Sequence, residues 1–225
     1  MGFILGGPFV LPAPLAVARC LARLARTGAL WQPALVTTGH VLAGYALGSA
    51  AGLALGLAGG LARGLGAMLD SMSRLILGVP HIIWVVLALF WFGPVGEVVV
   101  FTAAIGIAPL VFAGALAGMR AAQPEFDELA AAFNLPRRQY FWEIRLPQVA
   151  VVLVPALATG LGLAWKIALM AEIFSGSTGI GGQIAAMRAY LDTVGTMAWV
   201  VVALGLLLLT DLLLAKLIAA LPLKG

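Results

Sequence analysis

The sequence predicts an all-α membrane protein, a polytopic bundle of about five transmembrane helices. Three observations carry that expectation. Of its 225 residues, 63% are hydrophobic and only 10% are charged. A soluble domain carries about 25% charged residues, so this chain has too little polar surface to cover itself in water. The mean hydropathy of +1.09 and the 28 glycines agree, since glycine is enriched in membrane helices. Five apolar segments approach the roughly 20 residues that a spanning helix needs: 35–61, 75–92, 95–119, 149–174 and 194–221. Alternation with period two, the mark of a membrane barrel, is absent.

Residues 1–33 precede the first span. Met1 to Leu11 is apolar but too short to cross, and Arg19, Arg23 and Arg26 follow it. This segment either lies along the outer face or is the remnant of an extra helix. No basic stretch precedes an apolar core, so a cleavable signal peptide is not expected.

The first span reads GYALGSAAGLALGLAGG, with glycine at Gly44, Gly48, Gly52, Gly56 and Gly60. A spacing of four makes one smooth helical groove that a neighbouring backbone can approach closely. Packing within the subunit is favoured over a contact between subunits. The second span is marginal because Pro80 and His81 interrupt it, although neighbouring helices can satisfy a kinked backbone.

Cys20 is the single cysteine, which leaves no internal disulfide or cysteine-based metal site. His40 and His81 have no metal-ligand spacing, and each reads as a polar group satisfied between helices. No metal site and no catalytic constellation is expected. The net charge of +4 does not point to nucleic acid, because the basic residues are scattered between apolar segments.

Those basic residues set the orientation. With the charged middle loop in the cytoplasm, the inside carries Arg63, Arg74, Arg120, Arg137, Arg138, Arg145, Lys216 and Lys224. The loops after the first span then leave only Arg188 outside, a clear positive-inside bias. Arg19, Arg23 and Arg26 are the dissenters.

The middle loop, 120–148, is the one long charged segment, and contains QPEFDELAAAFNLPRRQYFWEIRLPQ. Pro124 suits a first helical position, and Glu125, Asp127 and Glu128 complement the helix dipole. Phe126, Leu129, Ala130 and Phe133 form one apolar stripe. Asn134 tolerates the left-handed conformation that ends a helix, and Pro136 prevents continuation. A second short helix is expected from Arg137 towards Arg145, with Tyr140, Phe141 and Ile144 on one side, ending before Pro147. The acids would be repelled by anionic lipid, so docking to a soluble partner is favoured over lying on the bilayer.

The spacing in this loop resembles the EAA loop of ABC importer permeases, the membrane subunits of binding-protein-dependent uptake systems. Glu128, Ala130, Ile144, Leu146 and Pro147 match that pattern in register. Leu129 stands where the family has alanine, and Asn134 where it has glycine. From Leu11 to Thr193 the chain is similar to the nitrate/sulfonate/taurine subgroup, notably at LFWFG, APLVFAGALAGM and AWKIALMAEIFSGSTGIGGQI. That subgroup often has six helices.

The resemblance implies a type I ABC importer permease fold over 34–221, with cytoplasmic coupling helices. Glu125, Glu128, Ala130, Asn134, Ile144, Leu146 and Pro147 would couple to cytoplasmic ABC ATPase subunits, which would bind ATP and Mg; this chain would hold no cofactor and would not itself be an enzyme. The further partners implied are an extracytoplasmic substrate-binding protein and a second permease subunit, homodimeric or heterodimeric, in a bacterial inner membrane. The solute would be a small anion of the nitrate, sulfonate or taurine kind, or alternatively another small solute such as a vitamin precursor.

Ionisable residues within spans are functional candidates. Lys166 and Glu172 are six residues apart on the fourth span, so they do not form an i,i+4 pair. Both are assigned to the substrate path. Lys166 is the stronger candidate, since a lone cation would favour an anion; an interhelical pair or a snorkelling side chain is an equal alternative. Glu97, Asp211 and Lys216 are the others, with Lys216 close enough to the cytoplasmic end to snorkel. The outer loop, 174–194, is flexible at SGSTGIGGQ and then presents Ile184, Met187 and Leu191 on one helical face. It would meet the binding protein or rest on the bilayer. An ion-driven secondary transporter is the rival class; its internal repeats and broken helices are not discernible in the sequence.

Overall fold

A computed structural model describes residues 12–121, 125, 130 and 132–220. Among them every regular element is helical. Helix α1 spans Pro14–Arg26, α2 Trp31–Leu61, α3 Arg63–Gly78, α4 His81–Phe92 and α5 Gly96–Arg120. After the charged loop come a short turn Arg137–Gln139, a π-helical stretch Tyr140–Arg145 and then α6, Leu146–Ser175. Helices α7, Ile180–Ala189, and α8, Thr193–Ala220, complete the order.

Among the described residues, four helices are long and apolar enough to cross a membrane, and a fifth crossing is counted if α3 and α4 together form one span. That pair is bent by 92°. Pro80 supplies the reason. Its ring disfavours helix at the preceding residue, and Val79 is extended at φ −82 and ψ 124. The break falls where Pro80 and His81 interrupt the marginal second span of the sequence.

The core is a three-helix slab in which α5 is the centre, with α2 on one side and α6 on the other. The five glycines of α2 spaced four apart, Gly44, Gly48, Gly52, Gly56 and Gly60, face α5. A methyl group at Gly48 would sit 2.6 Å from the Ala104 carbonyl, and one at Gly52 would collide with the Ala108 carbonyl. Gly44 meets Ala103, Gly56 meets Ala115 and Gly60 meets Met119 in the same way. Burial follows: Val98, Val99, Ala103, Ile107, Val111 and Ala115 of α5 are all inaccessible to solvent. Tyr45 adds a polar tie, its hydroxyl donating to the Leu157 carbonyl of α6 at 3.0 Å.

A second, smaller cluster closes the far end of the molecule from the charged loop. It joins Ala34, Ile180, Trp199 and Ala203, with Leu24, Leu30, Ile184 and Met187 packed around them. Helix α1 belongs to this end and packs on α8. Its Cys20 is buried and its three arginines are exposed. Helix α8 leans on α7 and α6 and leaves most of its apolar surface uncovered.

Candidate functional site: coupling segment and membrane-embedded charges

The charged loop is built around a helix stop. Asn134 has φ +50, and the Leu135 N–H donates to the Ala130 carbonyl at 3.0 Å. That six-residue closure over a left-handed residue is a Schellman stop. It leaves Ala130 nearly buried while Phe133 is 71% exposed. Glu125 is exposed. Glu128, like Leu129, lies outside the described residues.

The second half departs from expectation. The helix does not end before Pro147; it runs on through the proline into α6. The π-helical stretch is what permits this. Leu146 keeps helical angles, and its N–H reaches back five residues to the Phe141 carbonyl. The carbonyl ladder is thus displaced just ahead of a residue that lacks an N–H and crowds the preceding turn. Ile144 and Leu146 are half-buried, whereas Pro147 and Trp142 are exposed.

At the opposite end, Glu172 is wholly buried. Its Oε2 accepts from the Thr37 hydroxyl at 2.8 Å and from the Gly181 N–H at 2.9 Å. Its Oε1 lies 2.8 Å from His40 Nδ1. Thr37 in turn accepts from the Ile180 N–H at 2.8 Å. Two of the N–H groups that begin α7 are therefore satisfied by side chains from α2 and α6. Gly179 lies so close to the carboxylate that a methyl group there would overlap it. In this conformation Glu172 binds helices together and offers no surface to a solute. Sequence reading assigned Glu172 to the substrate path and missed Thr37 as a partner. The retrievable signal was a His40 and a Glu172 each lacking a local mate.

Lys166 lies elsewhere. It is exposed on the side of α6 that turns away from α5, in line with Val151, Pro155 and Thr159. Asp211 of α8 is near this face, with Oδ1 3.9 Å from where a Gly162 methyl would sit. Lys216 is exposed one turn further along α8. Glu97 lies in the first turn of α5, where its charge complements the helix dipole.

A helical slab with four or five candidate spans and a sharply stopped charged loop has the architecture of a polytopic membrane protein. The chain belongs to the family of binding-protein-dependent transport system inner membrane components, whose model matches residues 44–221. A putative aliphatic sulfonates transport permease protein of Escherichia coli is 30% identical over 82% of this chain and 70% of its own length. The taurine transport system permease protein of the same organism is 27% identical over 60% of this chain and 49% of its own. A riboflavin transport system permease protein of Chloroflexus aurantiacus is 30% identical over 82% and 69%. Among solved structures, an amino acid ABC transporter with histidines superposes with a TM-score of 0.69 at 17% identity, covering 88% of this chain and 95% of that one. A methionine ABC transporter in an inward-facing conformation gives 0.63 at 18% identity, over 87% and 94%. These two likenesses establish the fold.

Proposed function

We propose that this permease is the membrane subunit of an ATP-driven importer for a small anion. The coupling loop carries the reading. Glu128, Ala130, Ile144, Leu146 and Pro147 hold the family's spacing, and Asn134 makes the turn that a glycine makes elsewhere. The stop at Asn134 leaves Phe133 facing outward, and Trp142 lies exposed on the second half. Exposed aromatic side chains flanked by acids suit a groove on a soluble ATPase.

In this reading two ATPase subunits drive the cycle from the cytoplasm, with ATP and Mg held by them. A binding protein delivers solute at the end where α7 lies. The path forms between this chain and a second permease copy, in a bacterial inner membrane. Lys166 supplies the positive charge that an anion would seek, and the sulfonate and taurine relatives favour that solute class. Glu172 serves the path indirectly, by holding α7 in place. The riboflavin relative supports a second reading, a larger vitamin-like solute.

Two measurements test this. Affinity purification of the tagged permease from its own cells recovers an ATPase, and replacing Phe133 and Trp142 by Asp removes it. Uptake into vesicles, with the binding protein present, requires internal ATP and favours methanesulfonate or taurine over riboflavin. Uptake that persists without ATP but collapses with the ion gradient sinks the importer reading.

A further inference from the structure

Lys166 and Asp211 sit within membrane spans, where ionisable groups pair or face water rather than lipid. Both are exposed on the surface of this single chain. Among the described residues, neither makes an ion pair or a hydrogen bond. Their placement is not independent. Helical side chains lean back over the turn before their own Cα, so Lys166 covers the position of Gly162, four residues earlier. Gly162 has no side chain to fill that spot, and the Asp211 carboxylate oxygen lies beside it. A lysine side chain laid back along α6 over Gly162 would therefore bring its ammonium towards the Asp211 carboxylate.

The location is deep. Gly162 is 13 residues from Ser175, the end of α6, or about 20 Å along a helix, well inside a hydrocarbon layer about 30 Å thick. A cleft of 670 Å³ opens next to it, bounded by Ala158 of α6 and by Leu208, Asp211, Leu212 and Ala215 of α8. The cleft is apolar except at Asp211. One carboxylate beside an apolar cleft, with one cation a turn away, is a poor surface for lipid and a workable one for a passing ion.

From this we infer that Lys166 and Asp211 form an intramembrane charge pair that closes the seam between α6 and α8. An anionic solute opens it by taking the place of Asp211 on Lys166. The second statement rests on the anionic-solute reading above; the first does not. Asp211 is thereby a specificity-determining residue: it is the internal competitor that a solute must displace, so neutral solutes gain nothing at this point. The unpaired arrangement in this structure is the open member of the two states.

The test uses the full chain in detergent, with thermal midpoints followed by tryptophan fluorescence. Wild type, Lys166→Gln, Asp211→Asn and the double variant are compared in gluconate and in methanesulfonate at equal ionic strength. Each single change lowers the midpoint by a few degrees. The double variant falls no further than the lower single one, the mark of coupled residues. Methanesulfonate raises the midpoint of Asp211→Asn, whose lysine is free, and leaves the double variant unmoved. Additive losses overturn the pair. Coupling without methanesulfonate rescue overturns the exchange while the pair stands, and the anion reading is then decided by vesicle uptake alone.

Where a single variant fails to assemble, proximity is read in native membranes. Cys20 is the only cysteine, so Lys166→Cys/Asp211→Cys in a Cys20→Ser background gives one reactive pair. A short thiol cross-linker joins the two within one chain, at the monomer position on a gel, with the linked peptides confirmed by mass spectrometry. A link found only between two chains, or none at all, overturns the pair.

Discussion

The Thr37 hydroxyl donates to Glu172 Oε2 at 2.8 Å and accepts from the Ile180 N–H at the same distance. One small side chain on α2 thus bridges the end of α6 and the start of α7. It ties α2, α6 and α7 together at one end of the bundle.

Removing the carboxylate tests how much that junction depends on it. Glu172→Ala leaves the Thr37 hydroxyl, His40 and the Gly181 N–H without their acceptor inside a dry site. Stranding buried donors costs about 3 kcal/mol, which in a chain of this size lowers the thermal midpoint by about 6–12 °C. Glu172→Gln retains one carbonyl oxygen and loses less. A midpoint for Glu172→Ala within a degree of wild type defeats the idea.

The α2–α5 groove predicts a contrast between two glycines of the same helix. A side chain at Gly52 meets the Ala108 carbonyl and Val111, so Gly52→Val overpacks the slab and costs about 3 kcal/mol. Gly39 has open space around it. Gly39→Ala is neutral or gains up to about 1 kcal/mol, as glycine-to-alanine changes do in helix interiors. Equal midpoints for the two variants contradict the packing described.

Asn134 predicts a conformational rule rather than a chemical one. Asn134→Gly keeps the left-handed stop and keeps ATPase recovery at the wild-type level. Asn134→Val strains it by about 1–2 kcal/mol, enough to weaken ATPase association by about tenfold. Titrating the ATPase against detergent-solubilised permease measures both. Val and Gly variants with the same affinity remove the stop from the coupling mechanism.

Lys166 predicts selectivity in transport. Lys166→Gln lowers methanesulfonate uptake by about tenfold or more, the loss of roughly 1.4 kcal/mol of attraction, and Lys166→Arg retains most of it. Protein level in the membrane, measured on the same vesicles, separates transport from assembly. Undiminished uptake by Lys166→Gln removes this residue from the path.

How much of this was legible depended on whether the signal was local. The spans at α2, α5, α6 and α8 follow from hydropathy alone, because each helix carries its own length and apolar content. The stop at Asn134 was legible for the same reason: left-handed tolerance and the following Pro136 are neighbours in sequence. The groove of α2 was visible in its glycine spacing, but the identity of its partner, α5, was not. Continuation through Pro147 was hidden, since a π turn upstream relieves the clash that the local rule assumes. Glu172, assigned to the substrate path from its sequence position, had the least legible surroundings. Its partners lie 135 and 132 residues away, and nothing along the chain announces that α7 folds back to meet it.

The break at Pro80 has a mechanical consequence. His81 begins α4 beside Gly106, which lies ten residues into α5, or about 15 Å from its N-terminal end. The pair α3–α4 therefore changes direction beside the middle of α5. Ser73 fastens α3 to the Pro109 carbonyl of α5 at 3.3 Å. Joined through the extended Val79 and turned by 92°, α3 and α4 do not make a single rod that could transmit a push along its axis.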